Sequence, residues 1–222
     1  MKFLDRADAG RQLAHALRAR DTRNTIVMGL TRGGVAVAAE LAHELAAPLE
    51  ICVARKLLTR DGVAFGCVAE AGGLYLDLAR VAALGLHSQD VNEVVQREAA
   101  NVVALSALYR DRPALLVGGR DVILVDDGLT SIAAVRAAAH SLRRRHARTI
   151  VLAVPVANAH SVDELRPEVD RVVCLDSDEL LATVGARYCE FSAVSEAEVV
   201  DLLVASRRGG GSARTRAARS VR

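Results

Sequence analysis

Two adjacent carboxylates, Asp126 and Asp127, follow the apolar run Asp121–Val125 (DVILV) and lead through Gly128-Leu129-Thr130-Ser131 into a helix-forming stretch. Neighbouring acids raise each other's proton affinity unless cations or hydroxyl donors stand close by. The segment after them opens a helix, whose unpaired N–H groups and positive dipole end favour an anion such as phosphate. Carboxylates suited to sugar hydroxyls or Mg2+, beside amides suited to phosphate, describe a site for a phosphorylated ribose. The plain alternative is that Asp126, Asp127 and Ser131 only cap the helix.

Two further segments favour the first reading. Arg32-Gly33-Gly34 follows the apolar run Thr25–Leu30 and offers a guanidinium with two unhindered backbone amides, the close approach that a pyrophosphate requires. Arg55-Lys56 follows Leu49 to Ala54 (LEICVA) and adds two cations. Singly, a glycine pair is a turn and an Arg-Lys pair is solvated surface; three polar strand ends together suggest one site.

The elements that must position these residues can be read from periodicity. Leu13, Ala14 and Leu17 predict a leading helix over 5–20, with Asp5 as N-cap. A strand at 25–30, a glycine turn at 31–34, a helix over 35–45 stopped by Pro48 and a strand at 49–54 make a right-handed parallel βαβ unit. Residues 55–77 read as a mobile loop flanked by minor strands. A long helix over 91–109 precedes the strand at 121–125. A helix over about 131–145, a strand at 149–154, a short helix at 162–165 and a strand at 171–175 continue the alternation. Ser195-Glu196-Ala197-Glu198 is a capping box that opens a last helix, to about Ala205. The fold class predicted is α/β, a central mainly parallel sheet with helices on both faces, in which ligands bind beyond the carboxyl ends of the strands.

Composition narrows the partners. The chain has 222 residues, 51% hydrophobic and 25% charged, which fits a single domain over 1–206. No apolar run approaches the roughly 20 residues of a membrane span, and the start lacks a secretory apolar region, so a cytoplasmic location is expected. Residues 207–222 carry six arginines and no acid and read as a disordered tail; with those six set aside, the net charge of +2 becomes −4 over 1–206. That sign argues against nucleic acid as partner. Cys52, Cys67, Cys174 and Cys189 lack metal-ligand spacing, and His43-Glu44 lacks a second histidine one turn on. Gly29 to Gly34 has Walker-loop glycine spacing but continues Val35-Ala36 where Lys-Ser/Thr is required; G-x-G-x-x-G and G-x-S-x-G are missing from the three strand ends.

The pattern from Val122 to Ala134 resembles the type I phosphoribosyltransferases, whose hallmark is an apolar strand, two acids and a loop of the form D-D-x-x-x-T-G-x-T. A bacterial subgroup also shares an L-P-R-G-G-V turn, an R-K pair and a V-A-E-G-G segment, here Leu30 to Val35, Arg55-Lys56 and Val68 to Gly73. The resemblance runs from Phe3 to about Leu203. It implies that Asp126 and Asp127 hold the ribose hydroxyls as the catalytic acids, and that Gly128, Leu129, Thr130, Ser131, Ile132, Ala133 and Ala134 hold the 5′-phosphate. Arg32, Gly33, Gly34, Arg55 and Lys56 would hold the Mg2+-pyrophosphate, with Mg2+ bound mainly through the substrate. Leu58 to Gly66 would be a lid, and residues 174–191 with the N-terminal segment a small hood. The implied reaction moves the phosphoribosyl group of phosphoribosyl pyrophosphate to a nitrogen nucleophile with release of pyrophosphate. The acceptor is not legible, and the helix over 91–109 is a candidate homodimer face. Two departures suggest an alternative, a degenerate regulatory or scaffold homologue. The family's T-G-x-T reads Ser131-Ile132-Ala133-Ala134, and Thr31 replaces the proline of the turn.

Overall fold

The computed structural model describes residues 2–17, 22–129 and 131–219, with side chains up to residue 208. Thr130 and the last turn expected of the leading helix lie outside the described residues. β1 (Thr25–Leu30), β6 (Asp121–Val125) and β7 (Thr149–Ala157), each apolar after its first residue, are interior strands, because a strand covered on both faces needs apolar side chains along nearly its whole length. With β2 (Leu49–Cys52) and β8 (Arg171–Ser177) they form a five-stranded parallel sheet in the order β2-β1-β6-β7-β8.

Alternation along these strands divides the core. Val27, Ile123, Val125, Val151 and Ala153 face one layer with α1 (Arg6–Leu17), α2 (Thr31–Glu44) and the first turns of α7 (Glu196–Arg219). Ile26, Met28, Leu30, Val122, Leu124, Ile150 and Leu152 face the other, with α5 (Ala133–Arg144) and α6 (Ala159–Leu165).

Residues 54–76 are more ordered than a mobile loop. β3 (Ala54–Leu58), β4 (Ala64–Ala69) and β5 (Gly73–Leu76) form an antiparallel sheet whose β3–β4 turn takes Gly62 at φ +81°. β5 lies so close to α5 that a Cβ on Gly73 would come within 2.2 Å of the Ala137 carbonyl oxygen. The short α3 (Leu78–Ala83), capped by Asp77, was not legible; α4 (Ser88–Tyr109) was.

Several boundaries differ from the sequence reading: the strand expected over 49–54 ends at Cys52, with Ala54 already in β3, and the helix expected over 162–165 begins at Ala159. No separate glycine turn precedes α2, since Thr31 to Gly34 are already its first turn, entered through Thr31 at φ +55°. β7 and β8 run on to Ala157 and Ser177, where they pair with each other and Leu129 bridges Ala157 on the other side of β7. The backbone of α7 continues to Arg219, past the end expected near Ala205 and into the stretch read as a disordered tail. No helix among the described residues is long and apolar enough to cross a membrane.

Candidate active site

Chain order reverses between β1 and β6. From β1 the chain moves outward to β2, whereas from β6 it moves the other way to β7 and β8. At such a switch point the loops leaving neighbouring strands diverge and open a crevice at the carboxyl ends. Gly29 pairs with Val125, so Arg32-Gly33-Gly34 and Asp126-Asp127 leave the sheet side by side into that crevice. The contact is tight. A Cβ on Gly34 would lie 2.4 Å from the Val125 carbonyl oxygen, and one on Gly33 would lie 2.1 Å from Asp127 Oδ2. These two glycines are required by approach, not by a turn.

The two acids are held differently. Asp126 is partly buried; its Oδ1 accepts from the Asp127 amide at 2.9 Å. Burial, and then the charge of Asp127, raise its pKa well above the usual carboxylate range, with Lys56 pulling the other way. Asp127 Oδ2 accepts from Arg6 Nε at 2.8 Å, and its carbonyl accepts from the Tyr188 hydroxyl at 2.6 Å. Arg6 is fixed in turn, 3.9 Å above the Phe191 ring and donating to the Ser192 carbonyl. Burial first, then Asp127, push the Tyr188 phenol upward, keeping it the donor.

The following loop has mixed roles. Gly128 takes φ +156°, and a Cβ there would meet Val184 at 2.6 Å, so the 174–191 segment closes directly on it. Leu129 is buried and bridges β7, with its amide on the Val156 carbonyl and its carbonyl accepting from Asn158. Thr130 lies outside the described residues. Ser131 is exposed, whereas Ile132, Ala133 and Ala134 are partly buried against the α5 core. No side chain caps α5, whose N-cap is Ile132. The capping alternative therefore does not hold for the acids, which are engaged elsewhere, and among the described residues no side chain caps the first amides of α5.

Arg55 and Lys56 do not act as a pair. Consecutive strand residues point to opposite faces, so Arg55 turns to α4, where Glu98 Oε2 holds its Nε at 3.1 Å. Lys56 stands on the face whose charge reaches Asp126 and Cys67. Arg32 and Arg55 both act on Tyr109, buried at the end of α4, where burial and Glu196 raise the phenol and the two guanidiniums lower it.

The two segments expected to form the hood meet. Phe3 bridges Tyr188, and Phe3, Tyr188 and Phe191 stack in series with centroids 5.4 and 4.9 Å apart. Sequence reasoning missed Arg6 and Glu98. Arg6 lies 121 residues from its partner on a helix that looks merely amphipathic, and no local signal announces it. A cleft of about 770 Å3, lined by Leu17, Thr22, Asp121 and Thr149 among others, lies at the opposite, amino ends of the strands and takes no part in this site.

A model of the phosphoribosyl transferase domain matches residues 3–188. Two Mycobacterium tuberculosis proteins, one from strain CDC 1551 and one from strain H37Rv, carry phosphoribosyl transferase in their names. Each is 36% identical over 204 residues, which is 90% of this chain and 46% of theirs. The chain thus spans about half the length of the curated relatives it matches. The crystal structure of TT1426 from Thermus thermophilus superimposes with a TM-score of 0.79 at 34% identity, covering 92% of this chain and 99% of that one. With a family model spanning most of its length and relatives above 30% identity agreeing with it, this chain belongs to the phosphoribosyl transferase domain family.

Proposed function

We propose that the crevice binds phosphoribosyl pyrophosphate with Mg2+ and transfers its phosphoribosyl group to a nitrogen nucleophile. The observation that carries this reading is the apposition of Asp126-Asp127 to Gly33 at the switch point, with the uncapped start of α5 immediately beyond. The acids face the ribose hydroxyls, the amides of 131–134 the 5′-phosphate, and Arg32, Gly33, Gly34 and Lys56 the pyrophosphate. Arg55 contributes from the neighbouring face through its charge.

In the reaction the bond from ribose C1 to the pyrophosphate oxygen breaks, the bond to nitrogen forms, and pyrophosphate leaves with the electron pair. Positive charge gathers on the ribose ring in the transition state. Fixed carboxylates stabilise it, while Arg32 and Lys56 stabilise the leaving group, without reorganisation at the moment of reaction. The raised proton affinity of Asp126 falls when positive charge develops beside it, so its stabilisation is stronger in the transition state than in the ground state.

No group of three or more His, Cys, Asp or Glu among the described residues could cage a metal. Two adjacent carboxylates next to a phosphate-rich ligand fit Mg2+, which is ordinarily held through one or two carboxylates and substrate oxygens. Asp126 and Asp127 would hold it, and when bound it neutralises the charge of the leaving group.

Calorimetric titration of the protein with phosphoribosyl pyrophosphate and Mg2+ tests the reading: micromolar binding is expected, and no heat above dilution removes it. A second reading, binding without turnover, draws on Ile132, whose side chain packs into the core where the family's loop has glycine. It predicts tight binding with no pyrophosphate released in the presence of any nucleobase.

A further inference from the structure

Glu50, Glu70 and Arg110 form a buried cluster away from the acids. Their side chains are 3%, 9% and 7% exposed. Arg110, just past the end of α4, donates Nε to Glu50 Oε1 at 2.9 Å and Nη1 to Glu70 Oε1 at 2.8 Å. Its Nη2 donates to Glu70 Oε2 at 3.0 Å and to the Ile51 carbonyl at 2.5 Å. The amides of Ile51 and Leu115 complete Glu50, and Ser106 Oγ completes Glu70 at 2.7 Å. A buried triad of two acids and one guanidinium is an expensive way to hold a fold together, since well-packed apolar residues often do as well or better. Its geometry gives it another use.

The cluster grips the link between the central sheet and the antiparallel sheet. β2 ends at Cys52 and β3 begins at Ala54, so Val53 alone joins them. Glu70 holds Val53 on both sides, its Oε1 accepting from the Val53 amide at 3.2 Å and its own amide donating to the Val53 carbonyl at 3.1 Å. Arg110 then ties Glu70 to Glu50 and to the Ile51 carbonyl on β2. Arg110 thus braces the Glu70–Val53 contact that, with the β3–β4 pairing, sets the direction in which β3 leaves β2, and Lys56 stands three residues along.

We infer that Arg110 is a positioning residue for the pyrophosphate half of the site, acting through Glu70 and Val53 on the placement of Lys56. The inference rests on the proposed function, and the two halves of the substrate separate the tests. Arg110→Lys keeps the charge but cannot reach Glu50, both oxygens of Glu70 and the Ile51 carbonyl at once, because an ammonium lacks the planar fork. Binding of pyrophosphate with Mg2+, and separately of ribose 5-phosphate, is measured by calorimetry on the full chain, with circular dichroism to establish folding. Arg110→Lys is expected to weaken pyrophosphate about tenfold and to leave ribose 5-phosphate within twofold of the wild type. Should Arg110→Lys not fold, Ser106→Ala removes a single hydrogen bond to Glu70, and a loss of about threefold for pyrophosphate alone is expected. Equal losses for both ligands, or no loss for either, overturn the positioning role. A wild-type protein that binds neither ligand overturns the site reading and this inference with it.

Discussion

Gly33→Ala and Gly34→Ala are the same chemical change at consecutive positions, and the structure assigns them different consequences, the first falling on a side chain of the site and the second on the backbone. Both residues lie in the first turn of α2, where an alanine gains up to about 1 kcal/mol over glycine in helix propensity. At Gly34 the new methyl would sit 2.4 Å from the Val125 carbonyl oxygen and 3.2 Å from the Asp126 Cα. Those are backbone atoms of the central sheet, so α2 itself must move away from β6. Overpacking of that kind costs about 1–3 kcal/mol or more. We expect a net loss near 2 kcal/mol, a fall of about 4–8 °C in melting midpoint for a domain of this size.

At Gly33 the methyl meets the Asp127 carboxylate, 2.1 Å from Oδ2 and 2.5 Å from Cγ. A side chain can swing where a backbone cannot, so Asp127 turns out of its place and loses Arg6. One charge-assisted hydrogen bond is worth about 1.5–3 kcal/mol; less the propensity gain of up to about 1 kcal/mol, the net loss is about 0.5–2 kcal/mol, a fall of about 1–8 °C in midpoint. On the proposed function the same displacement also takes the carboxylate away from the ribose hydroxyls. By the same 1.5–3 kcal/mol, affinity for phosphoribosyl pyrophosphate with Mg2+ should fall about ten- to hundredfold. Thermal melts by circular dichroism and calorimetric titration on both variants decide it. A Gly33→Ala protein that folds and binds like wild type would show that Asp127 does not touch the ligand, and the reasoning would fail at its centre.

Three further predictions are independent of that one. Ala134→Thr returns to the start of α5 the second hydroxyl of the family's loop, and affinity for inorganic phosphate should rise about tenfold by calorimetry, one charge-assisted hydrogen bond; unchanged affinity would mean that the ligand phosphate lies elsewhere. Ala71 occupies φ +51° where the family motif has glycine, so Ala71→Gly should stabilise by about 1 kcal/mol and raise the midpoint by roughly 2–4 °C. Burial and Asp127 raise the folded pKa of Asp126 above its unfolded value, so the folded state holds a proton that the unfolded state releases. The stability Asp126 contributes is present at acid pH and lost as pH rises through the raised value. Asp126→Asn, which resembles the protonated acid, should therefore be stabilised relative to wild type at pH 8 but not at pH 4 in denaturant titrations, and an equal difference at both values would contradict the shift.

The apolar runs of β1, β6 and β7, and the helices between them, were legible because burial on both faces calls for apolar residues along nearly the whole of each strand. The acids after β6 and the glycines after β1 were legible as well, since a strand end rich in polar groups is rare without a task. Their apposition was not. It follows from the reversal of strand order at β1 and β6, which no local periodicity encodes. Arg55-Lys56 looked like one cationic pair because the sequence does not print the strand's alternation against α4, and the fold sends the two side chains to different faces. Residues 54–76 are glycine-rich and weakly patterned, so their ordering comes from α5 and α4 rather than from their own propensity. Arg6 on Asp127, and Arg110 between Glu50 and Glu70, are ion pairs between residues 40 to 121 positions apart. Contacts of that separation carry no signature along the chain, because a charged residue on a helix is equally compatible with solvent. What the sequence determined by itself was thus the set of elements and the polar residues at their ends; which of those residues share a crevice, and which are already held by a partner, was decided only when the sheet closed.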